Sequence, residues 1–297
     1  MRLVQVNPPV FYGAGTLSSG STAVSSVAVS PMELVQAPTP YVGQVVSGTG
    51  IPTGTTIAAA GTGSITLSQP ATTAGTGVAL TFGTEPIQLA EAKAQARVEF
   101  ADDDALIAAL IAAARKYAET RLRSALITQT WTLMLDSFPS AGGYYNRAIR
   151  EVWPSLGSLP SGLGFYPGLI PNSSGVIDIP MPPLQSITSV RYDDFSGTLQ
   201  TLDPSLYNTS LQFSPRIQPQ YSKVWPISRP TIDSVQITFV CGYGNQQSNV
   251  PVNVQQAMKL HVAHLYENRE AVAAGGMVEV PLAVEALYAA SDPGIYA

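Results

Sequence analysis

The sequence predicts an α+β fold: a helical core carrying an inserted antiparallel β region, preceded by an all-β module built as a meander or small sandwich. Three observations carry this prediction. Residues 1–84 contain only two charged side chains, Arg2 and Glu33, among Gly, Thr, Ser, Ala and Val. Residues 103–123 place apolar side chains at helical spacing behind an acidic opening. Residues 129–241 alternate short β-prone runs with turn formers. The balance of the chain agrees. With 12% charged residues, 25 Gly and 24 Pro in 297, it favours short strands and long loops over a helical bundle.

The elements follow in order. In residues 11–84, Gly-Thr-Gly recurs at 48–50, 61–63 and 75–77. Between these turns lie Val45-Val46, Thr55-Thr56-Ile57, Ile65-Thr66-Leu67 and Val78–Phe82. Composition alone also suits a flexible arm. The regular turns around β-branched runs argue for strands. From Glu85 the pattern changes. Leu89–Arg97 reads as a short helix. Asp102, Asp103 and Asp104 then precede Leu106, Ile107, Leu110, Ile111, Ala114, Tyr117 and Ala118, one apolar stripe of a helix over about 103–123. The aspartates suit the positive end of its dipole, and Arg115, Lys116, Arg121 and Arg123 the negative end. Its Ala-rich face permits close packing.

Trp131, Leu133 and Leu135 alternate with Thr132 and Met134, as in a half-buried strand. Residues 138–175 are rich in Gly, Pro, Ser and aromatics and read as a long loop. Further strands are expected at Val176–Ile179, Ile187–Asp193, Thr198–Leu202, Tyr207–Phe213 and Val235–Val240, with Ser196-Gly197 as a hairpin turn. Pro251 is placed to open a last helix running to about residue 270, closed by Ala274-Gly275-Gly276. The remaining residues read as extended, with one short helical turn around Val284–Ala289.

Several function classes find no support. Net charge is −5, and no Lys/Arg-rich run offers an electrostatic footprint for DNA. Cys241 is the only cysteine, so no internal disulfide forms, which fits a reducing compartment. MRLVQVNPPV lacks the apolar segment of a signal peptide, and no run of 18 apolar residues suggests a membrane span. Nucleophile-elbow, phosphate-loop and dinucleotide fingerprints are missing, so no enzyme is expected. No cofactor is expected either. Cys241 lies in an apolar run and reads as a small buried residue. His261, His264 and Glu267 share one helical face in H-x-x-H-x-x-E. The chain has no third histidine, and His261 aligns with Val254, Ala257, Met258 and Leu265, so packing or an interface is the expectation and metal is not. The Asp102–Asp104 triplet is explained by the dipole without a cation.

Two stretches are candidate interaction surfaces. Tyr144, Tyr145, Trp153, Phe165 and Tyr166 sit in a loop too rich in Gly and Pro to build a core alone. They either pack back onto the sheet or anchor a neighbouring subunit or tail protein, as interface aromatics do. The apolar residues of 271–297, among them Tyr288, Ile295 and Tyr296, suggest docking into a partner.

Removing residues 11–84 joins VQVNPPV to EPIQLAEAKAQARV. The joined sequence resembles the start of a head–tail connector (adaptor, head-completion) protein of tailed phages. The resemblance continues through DDDALIAALIAAARKYAETRLRSALITQTWTLMLDSFP, IDIPMPPLQSITSVRYDDFSGTLQTLDPSLYN, RPTIDSVQITFVCGYGN and VPVNVQQAMKLHVAHLYENREAV. It covers about 150 residues in six ordered blocks. It implies a connector domain of residues 1–10 and 85–297, with helices at about 89–97, 103–123 and 251–270 and a β region at about 129–241. Residues 11–84 resemble a Gly/Thr-rich β-module of phage structural proteins, a decoration on the ring. The implied function is structural: a homo-oligomeric ring, commonly twelve-fold, that docks beneath the portal protein and gives a tail-side neck, stopper or tail-terminator protein its landing surface. The aromatic loop would then face the tail side or a neighbouring subunit, and Tyr288, Ile295 and Tyr296 the portal. DNA would pass through the lumen without specific binding. The protein would be assembled in the bacterial cytoplasm and reside in the virion neck. The rival reading is a carbohydrate-binding or host-surface adhesion protein acting through residues 11–84.

Overall fold

The computed structural model describes residues 1–29, 40–139, 175–211, 214–268, 272–273, 276–277 and 281–291. Two compact units emerge. One comprises Met1–Leu3, Thr132–Ile179 and Ile187–Phe239, the other Val4–Trp131, Pro180–Ser186 and Val240–Ala297.

The chain opens with β1 (Arg2–Asn7), which the sequence reading did not anticipate. The N-terminal module then forms six strands: β2 (Val10–Leu17), β3 (Ala23–Val29), β4 (Val46–Gly48), β5 (Ile57–Gly61), β6 (Ser64–Leu67) and β7 (Gly75–Gly83). They make one sheet in the order β4-β7-β2-β3-β6-β5. The module is therefore all-β, as expected, but its strand order is not that of a simple meander. Each Gly-Thr-Gly turn uses its second glycine at positive φ: Gly50 at 84°, Gly63 at 69° and Gly77 at 64°. The two edges of the sheet meet through an antiparallel bridge, Val45 with Thr56, and the hydrogen bonds Gly43 N to Ile57 O (2.8 Å) and Val46 N to Thr55 O (3.0 Å). Closing a sheet on itself removes the unpaired edges that invite aggregation. Phe11, Val24, Val46, Ile57, Leu67, Leu80 and Phe82 fill its core, with Phe11 stacked on Phe82 at 5.0 Å. Entry and exit lie side by side, because Val10 pairs with Gly83.

Four α-helices follow among the described residues: α1 (Leu89–Ala96), α2 (Asp104–Leu122), α3 (Val252–Glu267) and α4 (Leu282–Ala289). A capping box closes the start of α1, where the Gln88 N–H donates to Glu91 at 3.0 Å. On α2 the buried positions are Ile107, Ile111, Ala114, Ala118, Glu119 and Leu122, a single stripe at helical spacing. Pro251 stands at the N-cap of α3, as expected. This helix is central: it packs against α1, α2 and α4. Val254, Ala257, Met258 and Val262 meet Ala92, Ile111, Ala114 and Ala118 in one core. The alanines let the helix backbones approach closely, the role expected of the Ala-rich face. The last segment holds helix where a short helical turn around Val284–Ala289 was expected, but α4 is longer, an eight-residue helix whose Val284 and Tyr288 are fully buried.

The β region contains β8 (Gln129–Leu135), β9 (Ile177–Asp178), β10 (Leu184–Asp193), β11 (Leu199–Thr201), β12 (Tyr207–Ser210), β13 (Arg216–Pro219) and β14 (Val235–Cys241). A five-stranded sheet has the order β1-β8-β14-β10-β11, and a three-stranded sheet the order β12-β13-β9. Strands β10 and β11 form the expected hairpin, with Arg191 opposite Thr201. The Asp194 carboxylate shapes its turn by accepting from the N–H groups of Ser196 and Thr198, both at 2.9 Å. In β8 the successive residues Trp131, Thr132 and Leu133 are all buried, so both faces of the strand are covered there and it is not the half-buried strand expected, whereas Leu135 is only half-buried. A short antiparallel pair, β15 (Val272–Ala273) with β16 (Gly276–Met277), completes the strands among the described residues.

Candidate interaction surfaces

The acidic opening of α2 finds tertiary partners. Asp103 stands at the N-cap without a side-chain capping bond and accepts from the Tyr266 hydroxyl at 2.5 Å. Asp104 accepts from Lys93 Nζ at 2.5 Å. Exposed Glu99, Phe100 and Asp102 lie just ahead of the helix. The basic residues also do more than face the dipole. Arg115 is held by Glu85 at 2.8 Å and Glu119 at 3.3 Å, all on the interior side of α2. Glu119 accepts in turn from the Leu126 N–H and from Gln129 Nε2 at 2.7 Å. Gln129 Oε1 accepts from Gln5 Nε2 at 2.7 Å. This partly buried polar chain therefore ties Gln5, just before the module, and Glu85, just after it, to α2. Burial pushes the Glu119 carboxyl up, and Arg115 opposes that push. Sequence reading missed Glu119, which looks like any surface residue of an amphipathic helix.

The seat of α4 gathers the ionisable and aromatic groups of α2 and α3. Glu285 pairs with Arg121 Nε at 3.0 Å and accepts from the Tyr117 hydroxyl. That hydroxyl and Arg121 hold the Glu285 carboxyl below its ordinary value. The Tyr117 ring meets His261 edge-on at 4.8 Å and Tyr288 at 6.1 Å. His261 is thus a packed core histidine, and burial holds its pKa below the ordinary 6.5. His261 Nδ1 and the Tyr288 hydroxyl are buried without a hydrogen-bond partner. His264 and Glu267 instead line a shallow groove of about 450 Å³ with Gln95, Arg97, Leu260 and Pro281. The H-x-x-H-x-x-E face is therefore split. No group of three metal-ligating side chains gathers among the described residues.

Of the residues singled out from sequence, Tyr144, Tyr145, Trp153, Phe165, Tyr166, Ile295 and Tyr296 lie outside the described residues. Tyr288 is described, and its ring sits in this chain's own core, not on an open docking face. Cys241 is buried, and burial pushes its thiol pKa up, so it is a poor nucleophile. A surface the sequence reading overlooked lies in residues 220–232, between β13 and β14. Trp225 anchors this loop, stacked on Phe138 at 4.9 Å and donating to Gly175 O at 2.5 Å. Tyr221, Val224, Ile227 and Ile232 around it face solvent.

No helix among the described residues is long and apolar enough to cross a membrane. The junction between module and helical core is polar: Tyr41 donates to Asn245 Oδ1, and Asn245 Nδ2 donates to Gly43 O, both at 3.4 Å.

Comparison with known proteins supports the resemblance read from the sequence. Residues 86–152 match the family model of the phage gp6-like head-tail connector protein. This range spans α1, α2 and β8. A comparison with curated proteins gave no match. Among solved structures, a chain from the virion of a native gene transfer agent particle aligns at 21% identity and a TM-score of 0.50, covering 69% of this chain and 88% of that one. A chain from the neck of an empty gene transfer agent particle, computed with C6 symmetry, aligns at 24% identity and a TM-score of 0.49, over the same shares. The first of these shows a shared fold. The family match over residues 86–152 marks the chain as resembling the head–tail connector proteins of tailed phages.

Proposed function

We propose that this protein is a structural adaptor of a phage neck. Copies of it form a ring, commonly twelve-fold in the family it resembles, that docks under the portal and joins the DNA-filled head to the tail. The role is binding, not catalysis. The observation that carries the reading is the match of residues 86–152 to the connector family, on the two helices that build the core with α3. In this reading the partners are the portal protein on one side and a neck, stopper or tail-terminator protein on the other. The C-terminal residues around Ile295 and Tyr296 serve the portal, and the aromatics between Tyr144 and Tyr166 serve the tail side or a neighbouring subunit. DNA passes through the lumen without specific contacts, in keeping with a net charge of −5. Residues 11–84 are a decoration, a division supported by the pairing of Val10 with Gly83 at the module's ends and by its separate core.

The test is electron microscopy of lysates from a phage lacking this gene. Heads beside separate, complete tails are the expected result. Joined particles that fail to adsorb would instead favour adhesion through residues 11–84.

A further inference from the structure

Helix α4 is the least self-sufficient element of the helical core. It has two turns, and Pro281 at its N-cap supplies no side-chain capping bond. A helix of that length does not hold together alone in water, so it exists through its seat on α2 and α3. The apolar hold on that seat comes from Val284 and Tyr288, while Leu282 is 88% exposed. The polar hold runs through Glu285, which accepts from the Tyr117 hydroxyl and pairs with Arg121 near the surface.

The seat is also flawed. Three buried side-chain polar atoms lack a partner among the described residues, and two of them, His261 Nδ1 and the Tyr288 hydroxyl, lie here. Undocking α4 returns both to water and recovers the hydration they lost. Deeper in the same core the buried polar groups are paired, as Glu119 is with Gln129 and the Leu126 N–H. The weak point is therefore confined to α4. We infer that α4 is a latch governed by His261: it undocks from α2 and α3 as a unit while the rest of the helical core stays closed. Opening bares the Tyr117 and His261 rings and frees Val284 and Tyr288 at the same moment.

The charges around the seat set the direction of control. Tyr117 and Arg121 belong to α2, Glu285 and Tyr288 to α4, and His264 to the same helix as His261. The charged residues of α1, Glu91 and Lys93, are taken up by Lys259 and Asp104. Glu285 favours a proton on His261, burial and His264 oppose it, and burial prevails. Below about pH 6.5 the open form takes up a proton that the docked form resists, so its population rises by up to about tenfold per pH unit. Glu285 stays ionised over this range, because its partners hold its carboxyl below the ordinary 4.5.

Native-state amide exchange of the purified full-length protein, followed by mass spectrometry, tests the latch. Rates are taken relative to the intrinsic rate at each pH, without urea and in low urea. The amides of α4 should open at least about tenfold more often than those of α2 and α3, with a shallower dependence on urea. Going from about pH 7.5 to 5.5 should raise the α4 opening several-fold, and His261→Leu should flatten that rise. Glu285→Gln, at a partly exposed position, should raise it several-fold at neutral pH and keep the slope shallow. Equal opening and equal urea slopes in α2, α3 and α4 overturn the inference. So does a pH rise that is missing, or one that survives His261→Leu, or a Glu285→Gln protein with unchanged opening. The neck reading is tested separately on the gene-deleted phage, and neither result decides the other.

Discussion

Tyr288→Phe should make the protein more stable. The Tyr288 ring is fully buried among α2, α3 and α4, and its hydroxyl has no partner. A buried hydroxyl left unpaired costs about 1–3 kcal/mol of desolvation. Phenylalanine keeps the ring, its packing on Tyr117 and its volume, and removes the oxygen. The expected gain is therefore about 1–2 kcal/mol. Urea unfolding followed by far-UV circular dichroism reads this as a higher midpoint at unchanged slope. In a thermal scan it corresponds to roughly 2–4 °C per kcal/mol for a unit of this size. The control is Tyr117→Phe, which removes a hydroxyl that donates to Glu285 and should lose about 1 kcal/mol, since the pair is partly exposed. If Tyr288→Phe loses 0.5 kcal/mol or more (roughly a twofold change in the folding equilibrium), the hydroxyl has a partner in solution and the reasoning is wrong.

Other predictions follow from the same cores. Arg115→Ala leaves the Glu119 carboxylate buried without its cation and should cost about 3–5 kcal/mol by chemical denaturation; Arg115→Met with Glu119→Gln should cost clearly less, because no bare charge remains. Phe82→Ala removes one ring of the stacked pair in the module core and should cost about 3–5 kcal/mol, read as lost amide protection in β2 and β7. Acid should weaken the seat of α4 in two stages. His261 has a lowered folded pKa, so the unfolded state binds more protons below about 6.5 and stability falls as pH drops through that value, by at most about 1.4 kcal/mol per pH unit. Glu285 also has a lowered folded pKa, so its contribution is present above its ordinary carboxylate range and disappears as pH falls through and below it. Replacing His261 by Leu should abolish the first stage and keep the second; a first stage that survives the substitution would assign it elsewhere.

Much of the fold was legible in local pattern. The α2 stripe and the β14 run have the right period, and both elements appear within a residue or two of the expected ends. The glycine turns of the module were legible because positive φ is a local demand of the chain. The order of its strands was not, because pairing between distant segments leaves no periodic trace. In the last segment a helical turn was legible, but its full length and its seat were not, for a related reason. The sequence LAVEALYA is only two helical turns long and lacks a polar cap, so its helicity depends on the seat that Tyr117, Arg121 and His261 provide. Tyr288 accordingly looked like a free anchor. The interaction surfaces were least legible. The sequence reading chose aromatics by composition, whereas the 220–232 loop stands out only once Trp225 is seen to turn inward and its neighbours outward.

The pairing of Val10 with Gly83 also bears on how such a chain can change over generations. Neighbouring strands bring these two points to within about 5 Å. The rest of the chain therefore registers the 72 residues between them only as a short gap bridged. Any folded cargo whose own ends lie that close could be exchanged at this doorway while Gln5 and Glu85 stay tied to α2. Lineages could gain, lose or trade outer ornaments without renegotiating the helices within, and an engineer could mount a reporter at the same place.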